Sequence, residues 1–152
     1  MPPEREGGPL FVVAVDGSES GEKALKEAIR QGLQLGAELA LVMVVVPAAL
    51  AQRGPLRVEM DQLSAELEMA AADTVHAASL RVKEAGLRVR TRVLTGNRLE
   101  DVGPALAGFA ANHGASMLFV GSRGRTGAAR EHLGSVAEGL QAVATRPVCV
   151  VR

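Results

Sequence analysis

The chemistry-bearing residues of this sequence gather in one stretch: Gly121-Ser122-Arg123-Gly124-Arg125-Thr126-Gly127-Ala128-Ala129-Arg130-Glu131-His132-Leu133-Gly134-Ser135. Glycine permits positive φ and close approach of the backbone, which leaves amide N–H groups free to face an anion. The stretch ends at Gly134-Ser135, read as a helix start, where free amides and the helix dipole favour phosphate. Arg123, Arg125 and Arg130 add positive charge. Two readings stand. One is a phosphate cradle. The other is a plain loop in which Ser135 caps the helix, with Ser135 and Glu138 forming an S-x-x-E capping box. The common phosphate motifs are absent, since no Lys-Ser/Thr follows a glycine here and no G-x-G-x-x-G follows the first apolar run.

Asp16 is the second candidate. It closes the first apolar run, and its carboxylate can accept hydrogen bonds from a ribose hydroxyl. The alternative is a cap for the next helix, because Asp16-x-x-Glu19 also fits a capping pattern. His76, His113 and His132 are scattered, without metal-ligand spacing. His113-Gly114 reads as a helix end and His132 as a solvated loop residue. No Ser–His–Asp arrangement follows from this order. Cys149 is the single cysteine. It lies in the apolar run Pro147–Val151 and reads as a buried small hydrophobe, without the cationic, accessible setting of a reactive thiol.

Five apolar segments must position these residues: 10–15, 38–46, 87–94, 117–120 and 148–151. Most are continuous β-branched runs, as in strands covered on both faces. The third alternates Leu87, Val89, Thr91 and Val93 with Arg88, Arg90 and Arg92, as in a half-exposed edge strand. Helical spacing fills the gaps. Residues 18–35 carry Leu25, Ala28, Ile29, Gly32 and Leu33, with Gly36 as a stop. Residues 58–85 carry Leu63, Leu67, Ala70, Thr74 and Ala77. The acidic stretch 59–68 within them is a solvated helix face. Residues 99–110 carry Leu99, Val102, Leu106, Phe109 and Ala110, with a kink or late start at Gly103-Pro104. Residues 135–144 carry Val136, Leu140 and Val143. Strict strand–helix alternation predicts a single α/β domain with a parallel sheet and right-handed crossovers. Ligands then sit beyond the carboxyl ends of the strands, at the switch in strand order. Two stretches there exceed a tight turn, 48–57 and 122–133.

The whole chain sets bounds on function. Its 152 residues suit one domain, and 47% apolar residues argue against disorder. Lys+Arg and Asp+Glu are both 17, so no global field attracts nucleic acid or an acidic membrane. Aromatics are 2%, which counts against single-strand binding by base stacking. Residues 1–9 read as a short flexible tail without a signal-peptide core, and the longest apolar run, 39–51, is too short to span a bilayer. The expectation is a soluble, cytoplasmic protein without nucleic-acid or membrane partners.

The spacing Gly121-x-x-Gly124, nine residues, then Gly134-Ser135 resembles the G-2x-G-9x-G-[ST] pattern of ATP-binding universal stress proteins. Val12–Ser18 resembles their first strand with its aspartate, and Thr145–Val151 their closing strand. The likeness spans about Leu10 to Arg152. It implies a Rossmann-like doubly wound sheet of five parallel strands, order 3-2-1-4-5, with helices on both faces. It implies ATP, with or without Mg2+, as ligand, and a homodimer paired through Pro147–Val151. By the same resemblance, Asp16 contacts the nucleoside and the backbone of Val44 reads adenine. Val120, Gly121, Arg123 and Gly124 line ribose and phosphates, while Gly134, Ser135 and Val136 form the phosphate-binding helix start. Three departures stand out. Met43 replaces a frequent histidine, Ala115-Ser116 a frequent Ala-Asp, and Gly103-Pro104 interrupts a usually smoother helix.

The functional expectation is a nucleotide-binding stress-response regulator that acts through ligand-dependent ordering of residues 122–133. Binding of AMP or cyclic AMP is an alternative. So is slow ATP hydrolysis, for which no base stands beside the phosphates. A nucleotide-free interaction module is a further alternative, against which the intact glycine pattern counts.

Overall fold

The computed structural model describes residues 8–48, 60–123 and 134–152. Strand β1 spans Leu10–Ala14, β2 Glu38–Val45, β3 Val89–Thr95, β4 Met117–Gly121 and β5 Val148–Val151. Helix α1 spans Glu19–Leu35, α2 Met60–Glu84, α3 Val102–Asn112 and α4 Ser135–Val143. The strands form one sheet, order β3-β2-β1-β4-β5, and every pairing is parallel. The expected order holds.

Side-chain alternation along the strands divides the core in two. Phe11, Val13, Leu39, Leu41 and Phe119 face α1 and α2, against Ala24, Leu25, Ala28, Val75, Ala78 and Val82. Leu10, Val12, Ala40, Val42, Leu118 and Val120 face α3 and α4, against Leu106, Phe109, Ala110 and Leu140. Because β1 is covered on both faces, it must be apolar at every position, which is why its sequence shows no alternation. Phe11 and Phe119 meet across β1 and β4 with ring centroids 5.1 Å apart. On the edge strand β3, Arg92 lies over the Phe109 ring at 5.9 Å and Arg90 pairs with Glu38 at 2.6 Å.

The helix ends obey local chemistry. Ser18 caps α1, its Oγ accepting from Gly21 N–H at 3.0 Å. Gly36 ends α1 in the left-handed region at φ 65°. The late helix start at Gly103-Pro104 takes the form of a 3-10 turn, Leu99–Asp101, running into α3 at Val102. Pro104 thus sits in the first helical turn, where its missing N–H costs no intrahelical bond. His113 is the C-cap of α3, its Nδ1 2.9 Å from Phe109 C=O.

The helical stripes differ from expectation at several positions. In α2 the buried face is Leu63, Ala71, Val75, Ala78 and Val82, while Ala70 and Ala77 are exposed. Alanines populate both faces of this helix, so apolar spacing alone does not select the buried one. In α1 the buried face is Gly21, Ala24, Leu25, Ala28 and Gly32, and Leu33 is exposed. Leu99 and Val143 are also exposed. Of the expected tail, Gly8 and Pro9 fall among the described residues, and Pro9 C=O already accepts from Glu38 N–H at 2.9 Å. No described helix is long and apolar enough to cross a membrane.

Candidate functional site

The strand order reverses between β2-β1 and β1-β4, and a cleft opens there beyond the carboxyl ends of β1, β2 and β4. The space there is about 460 Å³, a figure that includes open solvent. Its walls include Asp16, Val44, Val120, Gly121, Arg123, Gly134 and Val136. Seven expected site residues thus converge. Ser135 adjoins them as the exposed first residue of α4. Gly124 lies outside the described residues, as do Arg125, Arg130 and His132.

Backbone alternation gives Val44 a specific character. In a parallel strand, N–H and C=O of one residue point to the same side, and the side switches at each residue. Val42 C=O faces β1, where it accepts from Val15 N–H at 2.9 Å. Val44 therefore presents its N–H and C=O in the same direction, but β1 has already ended at Ala14. On its other side β2 stays paired with β3 as far as Val45 and Thr95. Val44 has no described partner on the β1 side and offers a donor and an acceptor to the cleft.

Asp16 is not a helix cap. Its Oδ1 accepts from Ser18 N–H at 2.9 Å and Ser18 O–H at 2.5 Å, and Ser18 is the cap. Oδ2 has no described partner and is available to a hydroxyl donor. Sequence reading missed Gly21, whose role is steric. A Cβ there would stand 2.6 Å from Asp16 Oδ1.

The described amides flanking this loop are committed to the fold. Ser122 N–H donates to Val151 C=O at 2.8 Å, Arg123 N–H to Ser20 Oγ at 3.1 Å, and Gly134 N–H to Ser122 C=O at 2.6 Å. Free amides appear instead in the first turn of α4, whose first intrahelical bond runs from Glu138 N–H to Gly134 C=O. The N–H groups of Ser135, Val136 and Ala137 precede it and have no intrahelical acceptor. The capping-box expectation for Ser135 is corrected here. Gly134 is the N-cap, and no side chain caps this end. Ser135 begins the helical turn itself, where its hydroxyl is misplaced for capping.

Gly121 also has a steric reason not visible in the sequence. A Cβ at this position would stand 2.4 Å from Ser20 Oγ, 2.6 Å from Ser20 C and 2.7 Å from Ser20 O. The first turn of α1 thus presses directly on the end of β4. Cys149 is half-buried rather than buried, because β5 is an edge strand. Burial raises its pKa, so the thiol stays protonated. Among the described residues no group of three His, Cys, Asp or Glu side chains is placed to hold a metal.

Comparison with known proteins decides the family. The model of the universal stress protein family matches residues 11–152. The chain belongs to the universal stress protein family. A search of curated proteins finds no significant match. Among solved structures, a universal stress protein from Burkholderia pseudomallei is 24% identical, with 94% of this chain and 95% of that one covered and a TM-score of 0.75. A universal stress protein from Archaeoglobus fulgidus in complex with dAMP is 19% identical, covering 95% and 98%, TM-score 0.65. A family protein from Arabidopsis thaliana with AMP bound is 16% identical, covering 94% and 90%, TM-score 0.65. Another, 23% identical with 96% and 98% covered and TM-score 0.67, is a complex with cAMP. These likenesses share the fold found in this universal stress protein.

Proposed function

We propose that this universal stress protein binds an adenine nucleotide, ATP in particular, in the cleft at the strand-order switch, and acts as a stress-response regulator. The observation that carries the reading is the convergence on one cleft of three complementary groups. The open backbone of Val44 matches the donor–acceptor edge of adenine. The Asp16 carboxylate matches ribose hydroxyls, and the α4 amides with Arg123 match phosphate. The solved relatives with AMP, dAMP and cAMP support the same ligand class. Binding is favoured over hydrolysis, because the described residues of the cleft include no general base besides the ribose-facing Asp16. The regulatory signal is assigned to residues 122–133, most of which lie outside the described residues. A cytoplasmic location, where ATP is abundant, fits this role.

Calorimetry with ATP, AMP and cyclic AMP tests the reading, together with Asp16→Asn. Asparagine keeps an oxygen for Ser18 but removes the carboxylate that accepts from ribose. Loss of a hydrogen bond to a charged group, about 1.5–3 kcal/mol, predicts roughly 10- to 100-fold weaker ATP binding with unchanged melting temperature. Unchanged ATP affinity in a folded Asp16→Asn protein contradicts the assignment.

The same proposal includes a homodimer through β5. This strand ends the sheet, and its four residues are half-exposed and uncharged. Pro147 and Val151 turn their carbonyls to β4, so Val148 and Val150 turn theirs outward. Val150→Pro removes an outward N–H without breaking the sheet, and light scattering should then report a monomer. A wild-type protein that is monomeric at micromolar concentration contradicts the dimer.

A further inference from the structure

One peptide unit joins the two helices that flank the cleft. The N–H of Arg123 donates to Ser20 Oγ on α1 at 3.1 Å. The C=O of Ser122 belongs to the same peptide plane, and it accepts from Gly134 N–H at 2.6 Å. A trans peptide is planar and its N–H and C=O point in opposite directions, so fixing one end orients the other. Ser20 lies in the first turn of α1, which the Ser18 cap closes and which packs on β4 so closely that a Cβ at Gly121 would collide with Ser20. The chain of contacts therefore runs from Ser20 through the Ser122–Arg123 peptide to Gly134, the N-cap of α4.

We propose that Ser20 is a positioning residue for phosphate recognition: through the Ser122–Arg123 peptide it sets the placement of the α4 N-terminus, and with it the preference for a long phosphate chain over a short one. The proposal rests on the nucleotide-binding reading above. Ser20 does not line the cleft and needs no contact with the ligand. Its effect falls on groups served by α4 and Arg123, while Val44 lies on β2 and the Asp16 carboxylate is held by Ser18 rather than by Ser20.

The test compares wild type, Ser20→Ala and Ser20→Thr, which retains the hydroxyl, by calorimetry with ATP, AMP and adenosine. Ser20→Ala is expected to weaken ATP about five- to tenfold, the order set by one lost hydrogen bond, and to change adenosine less than about twofold. AMP falls between them, and Ser20→Thr restores ATP affinity. Amide hydrogen exchange supplies a readout without ligand. In Ser20→Ala the Arg123 and Gly134 amides both lose protection, whereas in Ser20→Thr both keep it. Equal weakening of all three ligands, or no weakening, overturns the proposal. So does loss of protection at Arg123 with Gly134 unaffected. A wild-type protein that binds none of the three overturns both this proposal and the reading beneath it. Wild-type binding with an unselective effect overturns this proposal alone.

Discussion

Replacing Gly121 by alanine tests the contact between α1 and β4 on which the cleft is built. The added Cβ would meet Ser20 Oγ at 2.4 Å, Ser20 C at 2.6 Å and Ser20 O at 2.7 Å. All three distances are far inside van der Waals contact, and two of the atoms are backbone. A side chain can rotate away, but a backbone can yield only if the first turn of α1 shifts. Overpacking of a filled site costs about 1–3 kcal/mol, and the backbone obstacle places this substitution near the upper figure, about 3 kcal/mol. In a domain of this size that corresponds to a fall in melting temperature of roughly 6–12 °C. Urea unfolding should show a lower midpoint with an unchanged slope. The double variant Ser20→Ala/Gly121→Ala separates the contributions. It removes only the Oγ contact, so less than half of the lost stability should return. A Gly121→Ala protein within about 0.5 kcal/mol of wild type, the range of surface substitutions, would refute the reasoning. So would full recovery in the double variant.

Three further outcomes follow from the same geometry. Gly139→Ala should stabilise by about 0.4–1 kcal/mol in urea unfolding, since a Cβ there meets nothing within 4 Å in a helix interior. Ser135→Ala should change stability by less than about 0.5 kcal/mol, because the hydroxyl makes no capping bond. The bridge from Arg81 to Glu22 ties α2 to α1 with one bond of 2.8 Å, and it holds the Glu22 carboxyl below its ordinary pKa. A depressed folded-state pKa gives stability that is present above the unfolded value, about 4.5, and is lost as pH falls through the folded value. Glu22→Gln should therefore cost under about 1 kcal/mol at pH 7, with the difference from wild type vanishing at lower pH in parallel denaturation curves.

Much of the fold was legible because burial on both sides of a sheet forces a continuous apolar run. Residues 10–14 and 38–45 announce central strands in this way, and the arginines at 88, 90 and 92 announce an edge. Gly36 and Pro104 marked helix ends because glycine tolerates the left-handed conformation of a C-cap and proline fits the first helical turn. The buried face of α2 was not legible, since alanine is compatible with either face. At the cleft, residue types pointed to Asp16, Arg123 and Gly134, which the fold brings to its walls. They did not identify Ser20 or Gly21, whose roles depend on atoms brought together from α1, β1 and β4. The capping role given to Ser135 followed from a pattern that a shift of one residue, to Gly134, voids. The donor and acceptor of Val44 arise from β1 ending before β2, which side-chain identity does not encode.

The central claim is that adenine nucleotide binds at the strand-order switch. Titration of isotopically labelled protein with ATP, followed by amide chemical shifts, tests it most directly. The account predicts saturable shifts that concentrate at Val44, at Asp16 and at Ser135, Val136 and Ala137, with the exposed face of α2 silent. Saturable shifts confined to other surfaces, or no shifts at millimolar ATP, would contradict it.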